Sequence, residues 1–158
     1  MDRHFSKLGL LAAGLLVFGS ASAQVQSVPM KGLDNTWVKE LDLKGKMDWE
    51  WIDTYPSQVY FATRKDHHRD GDVVTMWTRV EYRDPQDPDG YRSALSRDKW
   101  DCKEQRKANV NTVYYRWRNL QDDSPMTSRS NLTDWQKVKP GTLGETLLKF
   151  ACGLDKAK

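Results

Sequence analysis

Three short stretches carry side chains whose types could do chemistry. The first, Arg64 to Asp72 (RKDHHRDGD), sets His67 and His68 among Asp66, Asp70 and Asp72, residue types that ligate zinc or copper. Adjacent residues on a strand point to opposite faces, so only a turn could aim both imidazoles at one ion. Past residue 23 there is no further histidine to complete a site. The residues therefore read as a solvated turn between strands, with weak metal binding as the alternative. The second stretch, Asp84 to Gly90 (DPQDPDG), has carboxylates but lacks calcium-loop spacing and the acidic residue that closes such a loop. It reads as a β-turn. The third, Tyr114-Tyr115-Arg116-Trp117-Arg118, mixes aromatic and basic side chains as a single-strand nucleic-acid binder would. With 25 Lys and Arg against 22 Asp and Glu, the net charge is only +3, too little excess for binding driven by phosphate attraction. No G-x-S-x-G, Gly-rich phosphate loop or free Cys–His pairing occurs, and no carboxylate pair stands out as acid and base. No catalytic residue, cofactor or metal ligand is expected.

The elements that must position these residues follow from periodicity. Apolar residues alternate along 49–55, 59–63, 72–82, 100–105 and 110–118, the period-two pattern of half-buried strands, and Trp37, Leu41 and Leu43 read as a further strand. In the strand at 72–82, Val74, Met76, Val80 and Tyr82 share one face. Trp77, Arg79 and Glu81 share the other, which reads as the wetter one. Asp70-Gly71 and Asp89-Gly90 supply turns, and 124–134 reads as a long exposed loop. Near the end, Thr142 and Glu145 form a capping-box pattern. Leu143, Leu147, Phe150, Ala151 and Leu154 follow at helical spacing, with Gly153 as the stop.

The 158 residues suit one domain, and seven Trp and six Tyr are too many for a disordered chain. Arg3 and Lys7, the apolar run at 8–19 and Ala21-Ser22-Ala23 read as a secretory signal peptide over residues 1–23. No cysteine lies near its end to carry a lipid anchor. Residues 24–34 read as a flexible leader, 35–154 as the folded domain and 155–158 as a tail. Export takes the chain across the inner membrane, to the periplasm, the cell surface or the medium. In that oxidising setting Cys102 and Cys152 have one intramolecular connectivity, a disulfide pinning the helix to a strand. The fold class is α+β: about six mostly antiparallel strands with one C-terminal helix packed on the sheet.

In order along the chain, Trp37, SQVYF at 57–61, RDGDVVTMWTRVEY at 69–82, YRS at 91–93, WDC at 100–102 and PGTLGETLLKFACG at 140–153 resemble the bacterial surface-adhesin protein E family. The D-C pair answered by the PGT-x-x-E…C ending is the most specific element. Where that family often has Tyr-x-Asp, a small residue and Ile, this chain has FATRK at 61–65. The resemblance implies an antiparallel sheet stapled to a C-terminal helix by a disulfide. It also implies the activity of the founding member, a surface protein that binds host extracellular-matrix proteins and can form a homodimer.

The reading is an exported, non-enzymatic binding module with a protein partner. A periplasmic envelope-associated protein and a weak metal or small-ligand binder are the alternatives. The expected docking residues are Trp77 and Arg79 on the wetter face, rimmed by Arg64, Lys65 and Arg69.

Overall fold

A computed structural model describes residues 36–43, 47–86, 88–129 and 134–154. The expected signal peptide at 1–23, the leader at 24–34 and the tail at 155–158 lie outside the described residues. Among those described, no helix is long and apolar enough to cross a membrane.

The chain builds an eight-stranded antiparallel sheet: β1 (Trp49–Tyr55), β2 (Gln58–Thr63), β3 (His68–Asp70), β4 (Val73–Gln86), β5 (Tyr91–Asp101), β6 (Arg106–Tyr115), β7 (Met126–Arg129) and β8 (Gln136–Lys137). Its main path runs β1-β2-β4-β5-β6-β7, with β3 paired to β4 and β8 to β6. One helix, α1 (Leu143–Gly153), follows. This is the expected α+β class, with three short strands, β3, β7 and β8, that were not read from the sequence.

The two faces of β4 are each buried against something different. Val74 and Met76 pack with Ala62, Trp100 and the helix residues Leu147, Leu148, Ala151 and Leu154. The opposite face, expected to be wet, carries a second apolar cluster of Trp37, Leu41, Val59 and Phe61. Trp37 and Leu41 do not lie on a strand. They sit in and just after a short 3-10 helix (Thr36–Glu40), and both pack into the same apolar cluster. Covering by this segment is what makes Arg79 a buried residue, at 2 % exposure, rather than a surface one.

Other local readings also change. β5 begins at Tyr91, well before Trp100, and Cys102 to Gln105 form a turn rather than the end of a strand. Gly71, at φ +55, lets the chain reverse between β3 and β4. The segment read as a loop at 124–134 contains β7, which pairs with β6. The helix start is not a reciprocal capping box. The Thr142 hydroxyl donates to the Lys139 carbonyl (2.7 Å), and the Glu145 carboxylate accepts the Gly141 N–H (2.7 Å). At the other end Gly153 is the last helical residue, and the Arg69 guanidinium donates to the carbonyls of Leu154 (2.9 Å), Cys152 (3.4 Å) and Ala151 (3.5 Å). A cation at the negative end of the helix dipole stabilises it. Cys102 and Cys152 form the expected disulfide, linking the turn after β5 to α1.

Candidate binding face

The five residues expected to form a docking patch are not brought together as one. Arg79 lies in the buried back face. Its guanidinium donates to Glu81 (Nε–Oε1 2.7 Å), to the Asp42 carbonyl (2.7 Å) and to Asn119 Oδ1 (2.9 Å). The Glu81 carboxylate, fully buried, also accepts the Asn119 N–H at 3.0 and 3.2 Å. Burial pushes the Glu81 carboxyl up to about 7, even though Arg79 beside it opposes the rise. Asn119 holds a left-handed backbone (φ +62) to make these contacts, so the turn at 116–121 closes the back of β4 and β5. Trp77 is half-buried on the same face. Its indole N–H donates to Asp66 (2.9 Å), and Arg97, its cross-strand partner, lies over the ring at 5.3 Å.

The remaining basic residues are engaged around the helix or the start of β1. Arg64 pairs with Glu50 (2.7 Å) and covers the Phe150 ring, Lys65 pairs with Asp48, and Arg69 caps α1. In the histidine stretch, His67 contacts the Arg64 carbonyl through Nδ1 (2.7 Å), while His68 opens β3 opposite Thr75.

Register assembles a different site, on the helix-bearing face but beyond the helix. Tyr60 pairs with Val80 on β4, and Gln58 pairs with both Tyr55 on β1 and Tyr82 on β4, so all three tyrosines share the face of Ala62. Tyr114 joins them through Ala94, the cross-strand neighbour of Val80. Where the β4–β5 register breaks after Glu81, the Tyr91 ring stands between Tyr82 (5.5 Å) and Tyr114 (4.7 Å). At the other end Tyr55 meets Tyr60 edge-on at 5.9 Å. Each of β1, β2, β4, β5 and β6 thus contributes one tyrosine to a strip running across the strands. β7 adds Met126, opposite Tyr114 and 46 % exposed.

The strip is half-buried, not sealed. Tyr55 is exposed, and Tyr60, Tyr82, Tyr91 and Tyr114 keep partial access to solvent. A shallow pocket lies between Tyr91, Tyr114, Arg116 and Met126, and Trp117, 59 % exposed, stands in the turn just past β6. Burial raises the phenols of Tyr60, Tyr82 and Tyr91 above their ordinary value, and neighbouring phenols and the charges of Asp53 and Asp89 add to the rise. These hydroxyls, protonated at physiological pH as an ordinary phenol is, are available as donors. Between strip and helix lies a polar band, in which Asp98 accepts hydrogen bonds from Asn109 (2.8 Å) and Thr78 (3.2 Å), and Ser96 meets Thr112 (3.0 Å). Burial raises the Asp98 carboxyl as well.

The family model of surface-adhesin protein E matches residues 49–153, from the first residue of β1 to the last of α1. The chain belongs to the surface-adhesin protein E family. No curated protein and no solved structure matches it. The matched stretch takes in the whole sheet, both cysteines and all five tyrosines of the strip, while Trp37 lies outside it. Membership in an adhesin family agrees with protein binding and with a location outside the cytoplasm. The tyrosines were in view in the sequence, and YYRWR had the mix of a binding strand. What was missing was register: five tyrosines from five strands form one surface only once the pairing is known.

Proposed function

We propose that this surface-adhesin E chain is an exported, non-enzymatic binding module whose tyrosine strip docks a protein partner. One observation supports the strip over the Trp77–Arg79 side: Tyr55, Tyr60, Tyr82, Tyr91 and Tyr114 keep exposed edges on an uncapped part of the sheet, whereas Arg79 is consumed in a buried network. Tyrosine and arginine are among the side chains that most often anchor interfaces, and Arg116 borders the strip. The family's adhesive role makes host extracellular-matrix proteins the partner class to try first, and a homodimer through the same face is the competing occupant. Export rests on the signal-peptide pattern at 1–23, with Gln24 as the first mature residue.

The test is binding of the disulfide-bonded, exported protein to immobilised matrix proteins. Replacing Tyr91 and Tyr114 together by alanine should weaken binding about tenfold or more. Full binding by that variant would refute the assignment of this face.

A further inference from the structure

The tyrosine strip has a direction, a step and a polarity that narrow the kind of peptide it could hold. We infer that the strip binds a proline-rich segment in the polyproline II conformation, laid across the strands and flanked by Lys or Arg. This rests on the strip being the binding face.

Length comes first. From Tyr55 on β1 to Tyr114 on β6 the strip crosses four strand-to-strand gaps, roughly 19 Å at the usual sheet spacing. Two turns of polyproline II, six residues at about 3.1 Å each, span about the same distance, so one turn matches two strands. Shape agrees. Neighbouring rings are turned against each other by 83°, 75° and 52°, so the tyrosines form a row of slots instead of a flat plate. Proline rings, projecting three to a turn from a stiff helix, suit such slots and lose little entropy on docking.

Hydrogen bonding points the same way. The strip offers phenolic O–H donors on Tyr60, Tyr82, Tyr91 and Tyr114. Polyproline II has no internal hydrogen bonds, so its carbonyls are free to accept, and proline brings no N–H that would be left unpaired. An extended β-strand ligand needs the unpaired backbone of a sheet edge, which a sheet face does not offer.

Charge sets the flanks. Asp53 influences Tyr55 and Tyr60 at one end, and Asp89 influences Tyr91 near the other. Among the described residues neither carboxylate has an ion-pair partner. Arg116 also lines the Asp89 end, but Asp122 lies there with it, so that end stays net acidic and both ends complement a peptide with basic residues on either side of its prolines.

The probe is a lysine-flanked hexaproline peptide, titrated calorimetrically into the disulfide-bonded protein. A lysine-flanked Gly-Ser peptide of equal length and a cello-oligosaccharide serve as controls. Saturable binding of hexaproline, at least about tenfold tighter than the Gly-Ser peptide, is expected, with a similar loss in the Tyr91→Ala, Tyr114→Ala variant. Should that variant fold poorly, Tyr91→Phe with Tyr114→Phe keeps the rings and should weaken binding severalfold. Asp53→Asn with Asp89→Asn should weaken the lysine-flanked peptide while leaving an uncharged hexaproline unaffected. Equal affinity for the two peptides, saccharide binding in place of hexaproline, or a strip covered by a second copy in a tyrosine-dependent dimer would each overturn the inference. If hexaproline fails to bind while the tyrosine variant still loses matrix-protein binding, the peptide class falls and the binding face stands.

Discussion

At one end of the helix-bearing face, Ala62, Val74, Met76 and Trp100 lie fully buried with Leu147, Leu148 and Ala151 of α1. At the other end, on the same strands, the tyrosines from Tyr55 to Tyr114 keep their ring edges in solvent. The difference comes from coverage. α1 touches β1, β4 and β5, so it lies across the strands, and a helix laid that way covers a band only about 10–12 Å wide. β4 alone has 14 residues, roughly 48 Å of extended chain. The composition follows this division: small and aliphatic side chains beneath the helix, a hydrogen-bonded polar band at its margin, then amphipathic tyrosines where water is kept in reach. The back face teaches the same lesson, because Arg79 and Glu81 are buried wherever the 3-10 segment and the 116–121 turn reach them. Closed regions should therefore fail by unfolding, and the open end by losing a ligand.

The largest effect is expected on the back face. Arg79→Met leaves Glu81 buried without its partner and should cost about 3–5 kcal/mol in chemical denaturation. Arg79→Met combined with Glu81→Leu should recover most of that loss, since replacing a buried pair by apolar side chains is often neutral. Failure of the double variant to recover would mean that the contacts to Asp42 and Asn119 matter more than the charges. Beneath the helix, Cys152→Ser should cost roughly 2–5 kcal/mol, because the bridge closes a span of 50 residues. A melting temperature unmoved by reductant would break the account of the closed end.

A smaller effect should appear with pH. The Glu81 carboxyl lies at about 7 in the folded protein against 4.5 as its ordinary value, so the native state holds its proton more tightly than the unfolded chain. Its contribution is complete below about 4.5 and declines as the pH rises through about 7; Asp98, also raised by burial, acts in the same direction. Melting temperature should fall between pH 5 and 8, and Glu81→Gln should flatten that fall. An unchanged slope in Glu81→Gln would show that Arg79 keeps Glu81 ionised throughout. Smaller still, Trp77→Ala removes a half-buried ring, its bond to Asp66 and its contact with Arg97, and should cost about 1–2 kcal/mol without altering matrix binding. A binding loss in that variant would return the docking face to the Trp77 side.

Most of the frame was legible because local patterns carried it. Alternation in the strands from Trp49, Val59 and Asp72, the Asp70-Gly71 turn and the helical spacing from Leu143 depend on near neighbours, and two cysteines allow only one intramolecular pairing. Tyr91 to Lys99 was missed because buried Ser93 and Asp98 break the apolar rhythm of β5; their partners, the 116–121 turn and the β4 and β6 strands, lie elsewhere in the sequence. Arg79 and Glu81 looked like surface residues for the same reason. They neutralise each other, and their remaining hydrogen bonds are completed across 37 and 38 residues of chain by the Asp42 carbonyl and the Asn119 N–H. The strip was hidden for a third reason: a single tyrosine per strand is an unremarkable pattern until pairing aligns them.

Direct comparison of the tyrosine variant with its parent in matrix-protein binding tests the central claim most closely. Tyr91→Ala with Tyr114→Ala, shown by circular dichroism to be folded with its disulfide intact, should bind immobilised matrix proteins about tenfold more weakly or worse, while Trp77→Ala binds as the parent does. A folded tyrosine variant that binds as tightly as the parent would contradict the claim that the open end of the sheet is where this adhesin-family protein works.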